Sequence, residues 1–105
     1  MIKRIWGLEF EEIMSDSYKL WRVWVRKPFK KEGCWQIGLN EKFLNTASSQ
    51  GVDNLLLILG ERETYFKVPN EKDLKTKDKQ GEFELMPSIF KDGLPMKIYH
   101  FKLNL

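Results

Sequence analysis

The longest uninterrupted apolar run in the chain, Leu55 to Leu59 (LLLIL), has only five residues and ends at once on Gly60-Glu61. It falls far short of the roughly 20 apolar residues that carry a helix across a bilayer. Its length suits a central strand buried on both faces, where polar alternation disappears because both sides of the strand meet other side chains. The next residues do alternate, Thr64, Phe66 and Val68 against Glu63, Tyr65 and Lys67. With glycine first in a two-residue connection, the pair reads as a hairpin closed by a type II′ turn. A sheet therefore organises the chain.

Other extended segments are legible from the same period of two. Leu20 to Lys27 sets Trp21, Val23 and Val25 against Arg22, Trp24 and Arg26. Pro28 should close that strand, and the KKEG turn at 30–33 leads into CWQIGL, where Trp35, Ile37 and Leu39 oppose Cys34, Gln36 and Gly38. Together the two are expected to form one hairpin, residues 19–38, with a long basic loop. Ile2 to Trp6 reads as an edge strand, LEFEEIM at 8–14 fits strand or helix, and the last third supplies EFELM and MKIYHFKL. The second of these places Tyr99, Phe101 and Leu103 on one face, and the apolar pair Ile89-Phe90 and the turn KDG at 91–93 lie between the two.

Helical signals are fewer. Asn40 is a good N-cap for a helix over 41–49, with Glu41 at its positive end, Gly51 as terminator and Phe43, Leu44 and Ala47 at three-and-four spacing. NEKDLKTKDKQG at 70–81 carries four lysines, three acids and one leucine and reads as a solvated loop. The expectation is an α+β domain spanning residues 1–105, with roughly six or seven short strands and one or two helices. Its antiparallel sheet should be strongly bent or barrel-like. The order of a strand, a basic loop, a short capped helix and a further hairpin is similar to that of the pseudobarrel DNA-binding modules of restriction enzymes and transcription factors; no residue motif accompanies that likeness. The chain ends at LNL directly after its last strand, as a unit excised from a longer protein would.

Much chemistry is excluded by counting. Cys34 and His100 are the only residues of their kinds, so neither an internal disulfide nor a Cys/His zinc site can be assembled, and no cofactor is expected. Those two residues are 66 positions apart in predicted strands, no GxxxxGK[ST] loop occurs, and the nearest metal-nuclease pattern, Asp53 with ETYFK, has tyrosine where lysine is needed. The domain reads as non-catalytic. Its amino terminus reaches Glu9 before any apolar stretch of signal-peptide length develops, so a cytoplasmic location is expected.

Charge is where the sequence points to function. KLWRVWVRKPFKK, residues 19–31, holds six of the eighteen basic residues and no acid, leaving twelve against fifteen elsewhere, a balance of −3. Such a local excess is the footprint expected for phosphate. Arg22, Trp24 and Arg26 in succession, extended by Lys27, Lys30 and Lys31, would hold phosphates around a ring that stacks, and Gln36 would suit an adenine edge. Nucleic acid, DNA ahead of RNA, is thus the expected partner, with no membrane involved. Three other meanings are open. Trp24 would be a core residue if its strand were covered on both sides. The same edge would also serve to dock an acidic protein or accept a strand. A barrel interior lined by Trp35, Tyr65 and Phe101 would hold a small ligand. The lysines at 72, 75, 77 and 79 are nearly cancelled by neighbouring acids, while Tyr65, Tyr99 and the methionines read as packing.

Overall fold

Nine strands and two helices form an α+β domain in the computed structural model, among its described residues 1–25, 28–88 and 93–103. Along the chain these are β1 (Ile2–Ile5), β2 (Leu8–Met14), β3 (Lys19–Trp24), β4 (Phe29–Lys31), β5 (Cys34–Asn40), α1 (Glu41–Ser49), β6 (Asn54–Leu59), β7 (Arg62–Lys67), α2 (Glu71–Gln80), β8 (Phe83–Met86) and β9 (Met96–Lys102). Five strands make one sheet in the order β1-β2-β3-β6-β7, and four make a second in the order β4-β5-β9-β8. The second is antiparallel throughout and curls strongly, as half of a barrel. No helix among the described residues is long and apolar enough to cross a membrane.

The LLLIL segment behaves as its composition demands. It becomes β6, parallel to β3 on one side and antiparallel to β7 on the other. Leu55, Leu57 and Leu59 point into the core, while Leu56 on the opposite face is buried between its register neighbours Arg22 and Tyr65. Gly60 has φ 68° and Glu61 is not in the left-handed region, the pattern of the expected type II′ turn.

The expected hairpin over 19–38 does not form. Trp21 and Val23 lie in register with Leu55 and Leu57, so β3 is held between β2 and β6 in the five-stranded sheet, whereas β5 pairs with β4 and β9 in the other. Burying the two aromatic and branched residues of β3 against the leucine run outweighs the shorter loop that local pairing would give. Strand addition at β3 is accordingly ruled out, because both of its edges are occupied. β3 also ends earlier than expected, with Val25 N donating to Ile58 O at 3.2 Å, and Arg26 and Lys27 lie outside the described residues. So do the Ile89-Phe90 pair and residues 91 and 92 of the KDG turn.

A second correction concerns residues 71–80, which form helix α2 rather than a loop. The Asn70 side chain accepts from Asp73 N at 2.8 Å and the Asp73 carboxylate accepts from Asn70 N at 3.3 Å, a capping box. Gly81, at φ 70°, closes the other end. Acids in the first turn and lysines in the last suit the dipole, and Leu74 alone anchors the helix in the interior. A mixed-charge segment thus folds on its caps. Packing expectations also need adjustment, since Tyr65, Met1, Met14 and Met86 are exposed and only Met96 and Tyr99 are buried.

Both sheets and α1 share one core. Phe10, Trp21, Val23, Leu55 and Leu57 come from the first sheet, Ile37, Leu39, Tyr99 and Phe101 from the second, and Phe43, Leu44 and Ala47 from the helix. The rings of Phe10 and Trp21 stand 4.3 Å apart, and Phe43 fills the space 5.6 Å from Trp21. Asn40 fixes the helix to this body. Its side chain accepts from Phe43 N at 2.6 Å as the N-cap, and its amide donates to Trp6 O at 2.9 Å, in the β1–β2 turn. Trp6 holds φ 49° there, which a bulky residue adopts only under constraint, and its indole bonds Thr46 Oγ1 at 3.3 Å.

Asn40→Ala removes the cap and the hydrogen bond donated to Trp6 O, so urea denaturation should show a loss of about 1–3 kcal/mol. Asn40→Ser keeps a neutral cap acceptor and should cost clearly less; equal losses would mean that the cap contributes little.

Candidate nucleic-acid interface

The outward face of β3 carries Arg22 and Trp24, as alternation requires, and Trp24 is partly buried there and stands outside the core cluster. Its surroundings are not basic, however. Register places Glu11 opposite Arg22 and Glu9 opposite Trp24. Arg22 Nη1 lies 3.1 Å from Glu11 Oε1, and Arg4 Nη2 lies 2.8 Å from Glu9 Oε1. The guanidinium that was expected to meet phosphate is already neutralised by the neighbouring strand. Lys30 and Lys31, contiguous with β3 in sequence, belong to the other sheet.

A different surface gathers the remaining residues. Pairing of β4 with β5 and of β5 with β9 puts Phe29, Gln36 and Lys102 side by side across three strands. Alternation adds Lys31 on β4 and His100 on β9 to the same face. Gly38, opposite His100, is needed here because a Cβ would come within 2.8 Å of Ile98 Cγ2. Phe29, Lys31, Gln36, His100 and Lys102 line a groove of about 860 Å³. It continues round the end of β9 to Phe66, Lys77 and Phe101.

Within the groove the groups differ in how free they are. Lys77 is committed, to Glu82 at 2.7 Å and to His100 O at 3.1 Å. Lys31 and Lys102 are exposed and form no ion pair among the described residues. Phe29 is 36 % exposed and meets the His100 ring at 5.6 Å, nearly perpendicular. His100 Nε2 stands 3.5 Å from Glu84 Oε2, while its Nδ1 is buried without a hydrogen-bond partner among the described residues. Gln36 is only 8 % exposed and lines the groove floor. Lys30 points to the opposite side of β4, in register with Trp35.

Of the residues singled out from sequence, Lys31 and Gln36 therefore line one groove, Lys30 lies on the reverse side of β4, and Arg22 and Trp24 lie on the other sheet. Phe29, His100 and Lys102 were missed. A two-residue Glu32-Gly33 turn, both residues with positive φ, fixes Phe29 opposite Gln36, and that register was available in the sequence. Other expected constellations do not assemble. Cys34 is four residues along β5 from Gly38, the partner of His100, roughly 13 Å away along a strand. Tyr65 faces outward while its neighbour Phe66 meets Phe101 at 4.9 Å, so Trp35, Tyr65 and Phe101 line no common pocket. Among the described residues no group of three His, Cys, Asp or Glu side chains is placed to hold a metal.

A second polar cluster joins both helices to β9. The Tyr99 hydroxyl lies 3.2 Å from Glu41 Oε2 and 3.0 Å from Asp78 Oδ1, and Lys97 Nζ donates to Asp78 at 3.0 Å. The bond from Lys97, helped by that from Tyr99, holds the Asp78 carboxyl below its usual range, and burial followed by the bond to Asp78 raises the Tyr99 phenol. The phenol stays protonated and donates. This arrangement is a structural clamp, since both carboxylates already have partners.

No family model, no curated protein and no solved structure matches the chain.

Because the folded-state pKa of Asp78 is lowered, its contribution is present above 3.8 and lost as pH falls through the folded value. Asp78→Asn should therefore flatten the stability profile below pH about 4, measured by urea midpoints from pH 2 to 7. An unchanged acid limb would assign that limb to other carboxylates.

Proposed function

We propose that the domain binds nucleic acid, without acting on it chemically, through the open face of the four-stranded sheet. The row Phe29–Gln36–Lys102 with Lys31 beside it carries this reading. It combines an exposed ring, an amide and two uncompensated ammonium groups on a rigid sheet, the parts that stacking, base-edge contact and phosphate neutralisation require. DNA is the polymer to test first. The interface so placed keeps Lys31 and Gln36 from the sequence reading, leaves Lys30 on the reverse side of β4, and relinquishes Arg22 and Trp24, whose face is balanced by Glu9 and Glu11.

A protein partner adding a strand has one observation in its favour, the free edge of β4. That edge is three residues long and carries two lysines, which is how sheets commonly discourage such pairing.

Fluorescence anisotropy with labelled oligonucleotides at 20–200 mM salt, about the range over which phosphate contacts are felt, tests the proposal. The double variant Lys31→Ala/Lys102→Ala should lower the salt slope by about 1.4–1.8, two phosphates' worth, whereas Arg22→Ala should leave it unchanged. Loss of binding on Arg22→Ala alone would return the interface to β3.

A further inference from the structure

The groove has a feature that bears on the state of its ligand. Gln36 lines its floor and is more than nine-tenths buried there, yet its side-chain amide stays open to the groove, since the enclosed side-chain polar atom without a partner among the described residues is His100 Nδ1. A recessed amide that the groove still reaches can exchange water for the hydrogen-bonding edge of a ligand. Directly across the strand pair stands Phe29, exposed where Gln36 is recessed. Cross-strand neighbours of this kind have Cβ atoms about 4.5–5.5 Å apart, so a flat ring laid on Phe29 brings its edge over the amide.

We infer that the ligand is single-stranded, with one unstacked base laid on Phe29 and its hydrogen-bonding edge directed to Gln36. The inference rests on the nucleic-acid reading above and deepens it. A duplex keeps its bases stacked and offers their edges only along the floor of its own grooves, which an amide sunk in the protein does not reach. A splayed strand has the opposite shape, since its bases leave the backbone and enter recesses, while the backbone follows basic groups at the rim. Lys31, two residues along β4 from Phe29, and Lys102, two strands away across Gln36, occupy that rim. Phe29 lines the groove and keeps 36 % of its surface exposed beside the perpendicular contact from His100, which leaves ring surface for stacking.

Anisotropy titrations with a labelled pyrimidine 12-mer and with a hairpin duplex of matching composition provide the test. The single strand should bind at least tenfold more tightly at equal salt. Phe29→Ala should weaken single-strand binding on the order of 10- to 100-fold while leaving the salt slope intact, and Phe29→Trp should restore it. Gln36→Leu should change the ranking among homopolymers without changing the slope. Thermal melts establish that each variant is folded, and Phe29 is exposed enough to be replaced. Equal or tighter duplex binding that ignores Phe29→Ala would overturn the single-strand inference and leave the broader reading standing. Absence of binding to either oligonucleotide at low salt would overturn both.

Discussion

The parallel pairing of β3 with β6 is the constraint on which the rest of the domain depends. Every other neighbouring pair among the described strands is antiparallel. Two parallel strands in one sheet need a long crossover, and here the chain leaves β3, forms β4, β5 and α1, and returns to start β6. That excursion builds half of the second sheet and the helix that seals the core. Its driving force is apolar: Trp21 and Val23 face Leu55 and Leu57, all essentially inaccessible to water. Burying side chains of this size stabilises by about 1.5–3 kcal/mol apiece, more than the loop entropy that a long connection costs.

The same pairing divides a charge cluster that looks continuous in the sequence. Six basic residues lie within 19–31, but the fold assigns Arg22 to one sheet and Lys30 and Lys31 to another. Acids distant in sequence then decide which charges remain effective. Glu11 reaches Arg22 because β2 runs antiparallel to β3, whereas Lys31 and Lys102 meet no such partner among the described residues. Linear charge density measures composition along a strand, while an electric field depends on what lies across it.

What the sequence discloses follows from the range of the interactions involved. The β6–β7 hairpin, its glycine turn, and α1 with its Asn40 cap are specified within a few residues, and all were legible. α2 was equally local in its signals, with Asn70, Asp73 and Gly81 at capping positions, but a reading that asks for apolar periodicity finds only Leu74 and passes over it. Partner choice among strands was not legible, because alternation in β3 and β5 is satisfied by any apolar neighbour. The Tyr99–Glu41–Asp78 clamp spans 58 positions between its furthest members and leaves no trace in local pattern. The groove is intermediate: hairpin register gives Phe29 opposite Gln36, yet His100 and Lys102 enter only once β9 is known to pair with β5.

Electrostatics at the groove also sets how a ligand would be held. Glu32, Glu82 and Glu84 border it together with Lys31, Lys77 and Lys102. Lys77 is bound to Glu82, and Glu84 stands beside His100, so among the described residues the rim has two ammonium groups without an acidic partner, Lys31 and Lys102, rather than a continuous basic field. A polyanion lying at random across this surface meets acids as often as bases. One whose backbone passes Lys31 and Lys102 avoids most of that repulsion and brings a base to Phe29. Affinity would then come chiefly from stacking and from satisfying the Gln36 amide, both fixed in place by sheet backbone and both costing little ordering on binding. On the proposed reading, a surface so arranged would favour threading of a strand over adsorption, and a weak net charge would serve that end.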